Sequence, residues 1–192
     1  MLFKSVDFIL KYYKIDLILR LDGFFKKARN KKMTRVILNV PKLIQSVGST
    51  LCGPTCLAMV FQYYGHNITT EDIAGYGWSK GHFENGGLSY SSELSYVARK
   101  LGFKANLRKH HNFETIVDTI NSGAPMIARI HSKIVENVGH FVVIKGFYAD
   151  TKRVLFNDPS NVRRKGERVY EFNNLWNSGN GYDGLGIIIR QR

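Results

Sequence analysis

Leu57, Val60, Phe61 and Tyr64 recur at i, i+3, i+4 and i+7, and Gly65 follows them directly. That spacing predicts a helix with one buried stripe, stopped by the glycine. Pro54 lies upstream, in the first turn, where a missing N–H is harmless. A second short helix is predicted from Thr69 or Thr70, with Glu71 and Asp72 in its first turn, followed by a glycine-rich stretch from Gly75 to Gly87. Leu94, Val97, Ala98 and Leu101, ahead of Gly102, form a third helical stripe. Asn112 caps a fourth, with Ile116, Val117 and Ile120 on one face and Gly123 at its end.

Beyond Pro125 the apolar positions change register. Met126–Ile130, His140–Tyr148, Val154–Asn157, Arg168–Phe172 and Leu185–Arg190 are β-rich and bounded by turn residues, with residues 177–184 expected as a loop. Upstream, Val36, Leu38 and Val40 alternate with Ile37 and Asn39 until Pro41 closes a short extended segment. Helices followed by an antiparallel run of strands predict an α+β domain.

Phe3, Val6, Ile9, Leu10 and Tyr13 oppose Lys4, Asp7, Lys11 and Lys14, the pattern of an amphipathic helix. This helix opens a distinctive segment. Of the formal charge of +13 on 192 residues, the first 32 contribute nine Lys/Arg against three Asp, close to half of the excess. The run Lys26, Lys27, Arg29, Lys31, Lys32 ends just before Met33. We therefore divide the chain into a basic extension, residues 1–32, and a main domain, residues 33–192. The extension is expected either to dock on the main domain or to contact a membrane surface or partner. A third reading makes it an addition upstream of a start at Met33. Its three aspartates and the absence of a small-residue cleavage site argue against a secretory signal, so a cytoplasmic location is expected. Specific nucleic-acid binding is not expected, because no reading motif accompanies the basic tail.

A hydrophobic fraction of 44% supports a sizeable core, and two cysteines exclude a disulfide-stapled scaffold. The glycine-rich stretch holds no phosphate-loop Lys-Ser/Thr pair, and a Cys52–Cys56 bridge or two-thiol metal site has only weak support without a second cysteine pair, so neither cofactor nor metal is expected. The chemistry then rests on thiol and imidazole. Cys52 lies just before a helix start, where unpaired N–H groups and the helix dipole favour thiolate. Cys56, a turn later among apolar residues, reads as a buried hydrophobe. Among His66, His82, His110, His111, His131 and His140, the last begins a strand in Gly139-His140-Phe141 and suits a cleft, with His131 second. His110 and His111 read as surface loop residues. Asp158, in Asn157-Asp158-Pro159, ends the strand that follows, so a hairpin would return it to the end of the sheet where His140 starts. Asp150, in the connecting turn, would lie at the opposite end. Gln45 adds an amide that can donate to an oxyanion beside the Cys52 N–H.

Together these residues resemble the bacteriocin-processing (double-glycine leader) family of papain-like cysteine peptidases, in its stand-alone form. The matching stretches are Val40-Pro41-Lys42-Leu43-Ile44-Gln45, Cys52-Gly53-Pro54-Thr55-Cys56-Leu57-Ala58-Met59-Val60 and Tyr63-Tyr64-Gly65. Lys100-Leu101-Gly102-Phe103, Ser122-Gly123-Ala124-Pro125-Met126, Gly139-His140-Phe141-Val142-Val143, Phe147-Tyr148 and Asn157-Asp158-Pro159 follow in order. The resemblance implies a papain-like fold with its N-terminal helices packed on an antiparallel sheet. It implies Cys52 as nucleophile, His140 as general base, Asp158 as the orienting group and Gln45 as oxyanion donor. The expected activity is hydrolysis of a peptide or isopeptide bond in a protein, leader peptide or cell-wall peptide. The competing readings are acyl transfer on the same residues, in the manner of transglutaminases or phytochelatin synthases, and a non-catalytic binding module. A second basic cluster, Arg163, Arg164, Lys165 and Arg168, is expected to border the cleft and attract acidic substrates.

Overall fold

The alternation of apolar residues along each strand sorts the core onto two faces of one sheet. A computed structural model describes residues 34–84, 89–131, 139–160, 168–171 and 184–192. The basic extension, Arg163–Lys165 and the expected loop up to residue 183 lie outside the described residues. The elements run β1 (Arg35–Ile37), α1 (Cys52–Tyr63), α2 (Thr70–Ser79), α3 (Ser91–Lys100), β2 (Lys104–Arg108), α4 (Phe113–Asn121), β3 (Met126–His131), β4 (Gly139–Tyr148), β5 (Arg153–Asn157), β6 (Arg168–Glu171) and β7 (Gly186–Arg190). The α+β, papain-like architecture expected from the sequence is present: helices pack on an antiparallel sheet of order β2-β7-β3-β4-β5-β6.

Strand β4 organises the sheet. Its first half pairs with β3, from Met126↔Ile144 to His131↔Gly139, and its second half pairs with β1, from Ile37↔Gly146 to Arg35↔Tyr148. On its other side it forms the hairpin with β5, interrupted by a bulge between Ile144 and Gly146. Gly146 is required there, because a Cβ would lie 2.6 Å from the Val36 carbonyl oxygen. Ile127, Phe141, Val143, Ile187 and Ile189 face the helical side with Leu57, Phe61, Ile73 and Leu94. Their sequence neighbours Met126, Ala128, Val142, Ile144 and Ile188 pack with α4 through Phe113, Ile116, Val117 and Ile120. Burying each large side chain contributes roughly 1.5–3 kcal/mol. Leu57, Met59 and Phe61 are fully buried, so α1 cannot slide without losing several such terms. This anchors its N-terminus.

Two expectations need correction. Lys104–Arg108 is a strand that the sequence reading did not identify. Its Ala105 and Leu107 alternate with Lys104, Asn106 and Arg108, and it forms a sheet edge paired with β7, where basic side chains discourage further pairing. The glycine-rich stretch also begins inside a helix, because α2 includes Gly75 and Gly77. Phe83 folds back onto Gly77 so closely that a Cβ would lie 2.1 Å from its ring. Thr69 and Asp72 cap α2 reciprocally, and Asn112 accepts from the Thr115 N–H at 2.8 Å to start α4. Among the described residues no helix is long and apolar enough to cross a membrane.

Candidate active site

The site grows from the first turn of α1. Cys52 is the first helical residue rather than the one before it. The Thr55 N–H donates to the Leu51 carbonyl at 2.9 Å and Pro54 has no N–H. The Gly53 N–H turns to the Cys52 Sγ, joined there by the Phe141 N–H. The Cys52 N–H, at the first helical position, has no partner within the helix. Both cysteines are free thiols, Cys52 partly exposed and Cys56 fully buried.

His140 sits at the start of β4 and Asp158 just past the end of β5. The antiparallel hairpin returns one to the other, and His140 Nε2 lies 2.8 Å from Asp158 Oδ1. Asp158 Oδ1 also accepts from the Ser160 N–H at 2.8 Å and the Ser160 hydroxyl at 2.7 Å. The other face of the imidazole hydrogen-bonds Cys52. Burial alone would push the Cys52 thiol up. The hydrogen bond and charge of His140, with the Phe141 and Gly53 N–H groups, outweigh it and bring the thiol below its ordinary value. Burial would likewise lower His140, but Asp158 and Cys52 raise it to about 9. Burial acts to raise Asp158, yet His140 and Ser160 hold it down at about 2. The arrangement therefore favours thiolate, imidazolium and carboxylate together. Cys56 is driven the other way, well above the ordinary thiol value, by burial and then by the charges of Cys52 and Asp158.

Gln45 is tied to the same turn. Its backbone N–H donates to the Pro159 carbonyl at 2.8 Å, one residue from Asp158. Its side-chain Nε2 donates to the Ser49 carbonyl at 2.7 Å and to the Ser49 hydroxyl at 3.5 Å, which fixes the amide's orientation. Asn157, which the sequence reading passed over, holds this strand in place. Its buried Nδ2 donates to the carbonyls of Val40, at 3.0 Å, and Pro41, at 3.1 Å. An Asn–Asp–Pro turn hides that role, because asparagine is common in turns for local reasons. Asn157→Ala is expected to destabilise the domain by about 1–3 kcal/mol by stranding the buried Val40 carbonyl and the partly buried Pro41 carbonyl. Chemical denaturation checks this.

The remaining candidates lie elsewhere. His111 is buried rather than a surface residue, because its N–H donates to Gly184 and its ring packs near Gly186. His110 is exposed, His66 packs on Phe103 and His82 on Tyr96. His131 ends β3, opposite Gly139. Asp150 accepts from the Thr151 N–H in the β4–β5 turn, away from His140.

Helices packed on an antiparallel sheet, with a helix-terminal thiol against an imidazole and carboxylate, place the chain among the papain-like cysteine peptidases. A C39-like peptidase from Bacillus anthracis superimposes with a TM-score of 0.60 at 19% identity, covering 82% of this chain and 98% of that one. Xylellain, a cysteine protease from Xylella fastidiosa, gives 0.56 at 12% identity over 83% and 86%. A double glycine motif protease from an AMS/PCAT transporter, in complex with the leader peptide, gives 0.54 at 25% identity over 81% and 94%. No curated protein matches. The Peptidase_C39 like family matches residues 37–183, and the chain belongs to that family of cysteine peptidases.

Proposed function

We propose that Cys52, His140 and Asp158 act as nucleophile, acid–base and orienting group in hydrolysis of a peptide bond, with Gln45 and the Cys52 N–H receiving the oxyanion. The observation carrying this reading is the continuous contact from Cys52 through His140 to Asp158, with the 2.8 Å His140–Asp158 bond at its end. The Cys52 thiolate attacks the carbonyl carbon, and the negative charge moves to the carbonyl oxygen. The Gln45 amide, turning from Ser49, and the Cys52 N–H are the donors suited to it. Collapse breaks the C–N bond as His140 gives its proton to the leaving amine. Water then loses a proton to His140 and attacks the thioester, releasing the acid and restoring the thiolate–imidazolium pair. The leader peptide in complex with the 25% identical relative supports a peptide as the substrate.

The titrations set the pH window. Hydrolysis requires thiolate together with imidazolium, so kcat/KM is expected to rise as pH passes the lowered Cys52 value and fall as His140 deprotonates near 9. A thiol-alkylating probe followed by peptide mapping tests the assignment. Cys52 is expected to be labelled at neutral pH faster than a free cysteine peptide, with Cys56 spared. Labelling at Cys56 in preference to Cys52 would overturn the assignment.

A further inference from the structure

The chain folds back on the Asp158 carboxylate directly after β5. Pro159 has a fixed φ and no N–H, so the first backbone donor after Asp158 belongs to Ser160. That N–H donates to Asp158 Oδ1 at 2.8 Å, and the Ser160 hydroxyl donates to the same oxygen at 2.7 Å. His140 Nε2 reaches it as well, at 2.8 Å, so three donors converge on one carboxylate oxygen. The turn is itself pinned on both sides. The Pro159 carbonyl accepts from the Gln45 N–H at 2.8 Å, and the Asn157 amide is bonded to the carbonyls of Val40 and Pro41.

A carboxylate oxygen offers about two lone-pair sites, fewer than the donors gathered here. Each donor therefore draws on electron density that the others also use. The paired bonds from Ser160 fix the rotation of the carboxylate and keep Oδ1 turned toward the imidazole. The hydroxyl also competes with the imidazolium, which makes the carboxylate a weaker base toward His140 than it would be with one donor fewer. Against burial, which acts to raise it, Asp158 is held at about 2 by His140 and then by the Ser160 hydroxyl and N–H. The other ionisable groups on neighbouring elements are few. Cys52 and Cys56 on α1 are the thiols within reach of the pair, and Lys42, ahead of Gln45, is exposed. Strand β3 places Ile130 opposite His140, with Arg129 and His131 at the adjoining positions, and β6 places Arg168 opposite Phe156. Of these groups, Cys52 joins Asp158 in acting on His140.

We infer that Ser160 is a positioning residue for the thiol–imidazole pair: its hydroxyl aims the Asp158 carboxylate at His140 and limits how strongly that carboxylate holds the imidazole proton. This role rests on the proposed hydrolysis at Cys52 and names a further residue for it. The restraint has a use in that reaction, because His140 must give its proton to the leaving amine, and a carboxylate that held the proton harder would slow the transfer.

NMR titration of the His140 imidazole in the intact protein, alongside kcat/KM against pH, tests the role with variants at Ser160. Ser160→Ala removes the hydroxyl and keeps the backbone donor. The His140 titration and the alkaline limb are then expected about 0.5 pH higher or more, opposite to the direction expected when Asp158 is neutralised. A fall of about three- to tenfold in kcat/KM at neutral pH, carried by kcat, should accompany it. Ser160→Thr keeps both donors and is expected to restore the titration and the rate. Ser160→Cys leaves a weaker donor in place and is expected to fall between them, which keeps the comparison decisive if the Ala variant does not fold. A His140 titration that is unmoved or lowered in Ser160→Ala, or that Ser160→Thr does not restore, would overturn the role of Ser160 and leave the peptidase reading standing. The titration needs no turnover. A raised His140 in a protein that cleaves no peptide would therefore support the hold of Ser160 on Asp158 and overturn the hydrolysis.

Discussion

Replacement of Cys52 by alanine is expected to lower peptide hydrolysis by at least ~10⁴-fold while the fold persists. No second group can take over the attack. Cys56 is fully buried, its thiol is pushed up by burial, and it points from the second turn of α1 into the core. A thioester can form only where a thiolate meets an imidazolium that will later protonate the amine. Of the described histidines, His140 is the one bonded to both a cysteine and a carboxylate. The fold is expected to survive because His140 keeps Asp158, and α1 is anchored by Leu57, Met59 and Phe61 rather than by its first residue. Comparing hydrolysis and melting temperature for Cys52→Ala and Cys56→Ala separates the two roles. The first variant should lose activity and retain stability. The second should retain alkylation at Cys52 and lose stability through a small cavity. Full activity in Cys52→Ala would refute the nucleophile assignment.

Asp158 gives the second large effect, and its two variants should behave differently. Asp158→Ala leaves the His140 N–H and both Ser160 donors facing a buried gap. A loss of ~10²–10⁴-fold in kcat/KM is expected, with lower stability. Asp158→Asn keeps an acceptor for the imidazolium but removes the charge. In the proposed hydrolysis the imidazole works in its protonated form, so a neutral acceptor still orients it, and a loss nearer ~10-fold is expected at neutral pH. The distinguishing readout is the alkaline limb. Asp158 is a principal cause of the rise of His140 to about 9, so the limb in Asp158→Asn should move toward the ordinary histidine value of ~6.5. An unmoved limb would show that Asp158 does not govern His140.

Stability should follow the same linkage. His140 is raised in the folded state, so its contribution is fully present below ~6.5 and is lost as pH rises through about 9. Asp158 is depressed, so its contribution is present above ~3.9 and is lost as pH falls through about 2. Melting temperatures measured across pH should be flatter in Asp158→Asn than in the natural sequence.

The parts of the site legible in the sequence were those with local causes. A proline in a helix's first turn, a glycine before a strand, and two apolar runs joined by a short turn each have a physical meaning over a few residues. They suffice to put Cys52 at a helix start and His140 and Asp158 at one end of a hairpin. Gln45 had no such local signal and entered through the family resemblance. Asn157 was hidden because its bonds to Val40 and Pro41 reach a distant part of the chain. His111 was misread for the same reason: its burial comes from Gly184 and Gly186. Strand β2 escaped because its apolar positions, Ala105 and Leu107, are weak, and its pairing with β7 supplies what its composition lacks.

The sequence by itself determined the periodicities, and with them which residues are helical or extended, which faces are apolar, and which thiol stands at a helix terminus. Hydrophobic spacing and turn chemistry act over a few residues and can be read there. Only the tertiary structure decided which polar groups meet: imidazole with thiol and carboxylate, and the Asn157 amide with two carbonyls. Such meetings depend on strand register and on the seating of α1. Those are set by the whole core at once, because moving any one element would expose apolar area on the others.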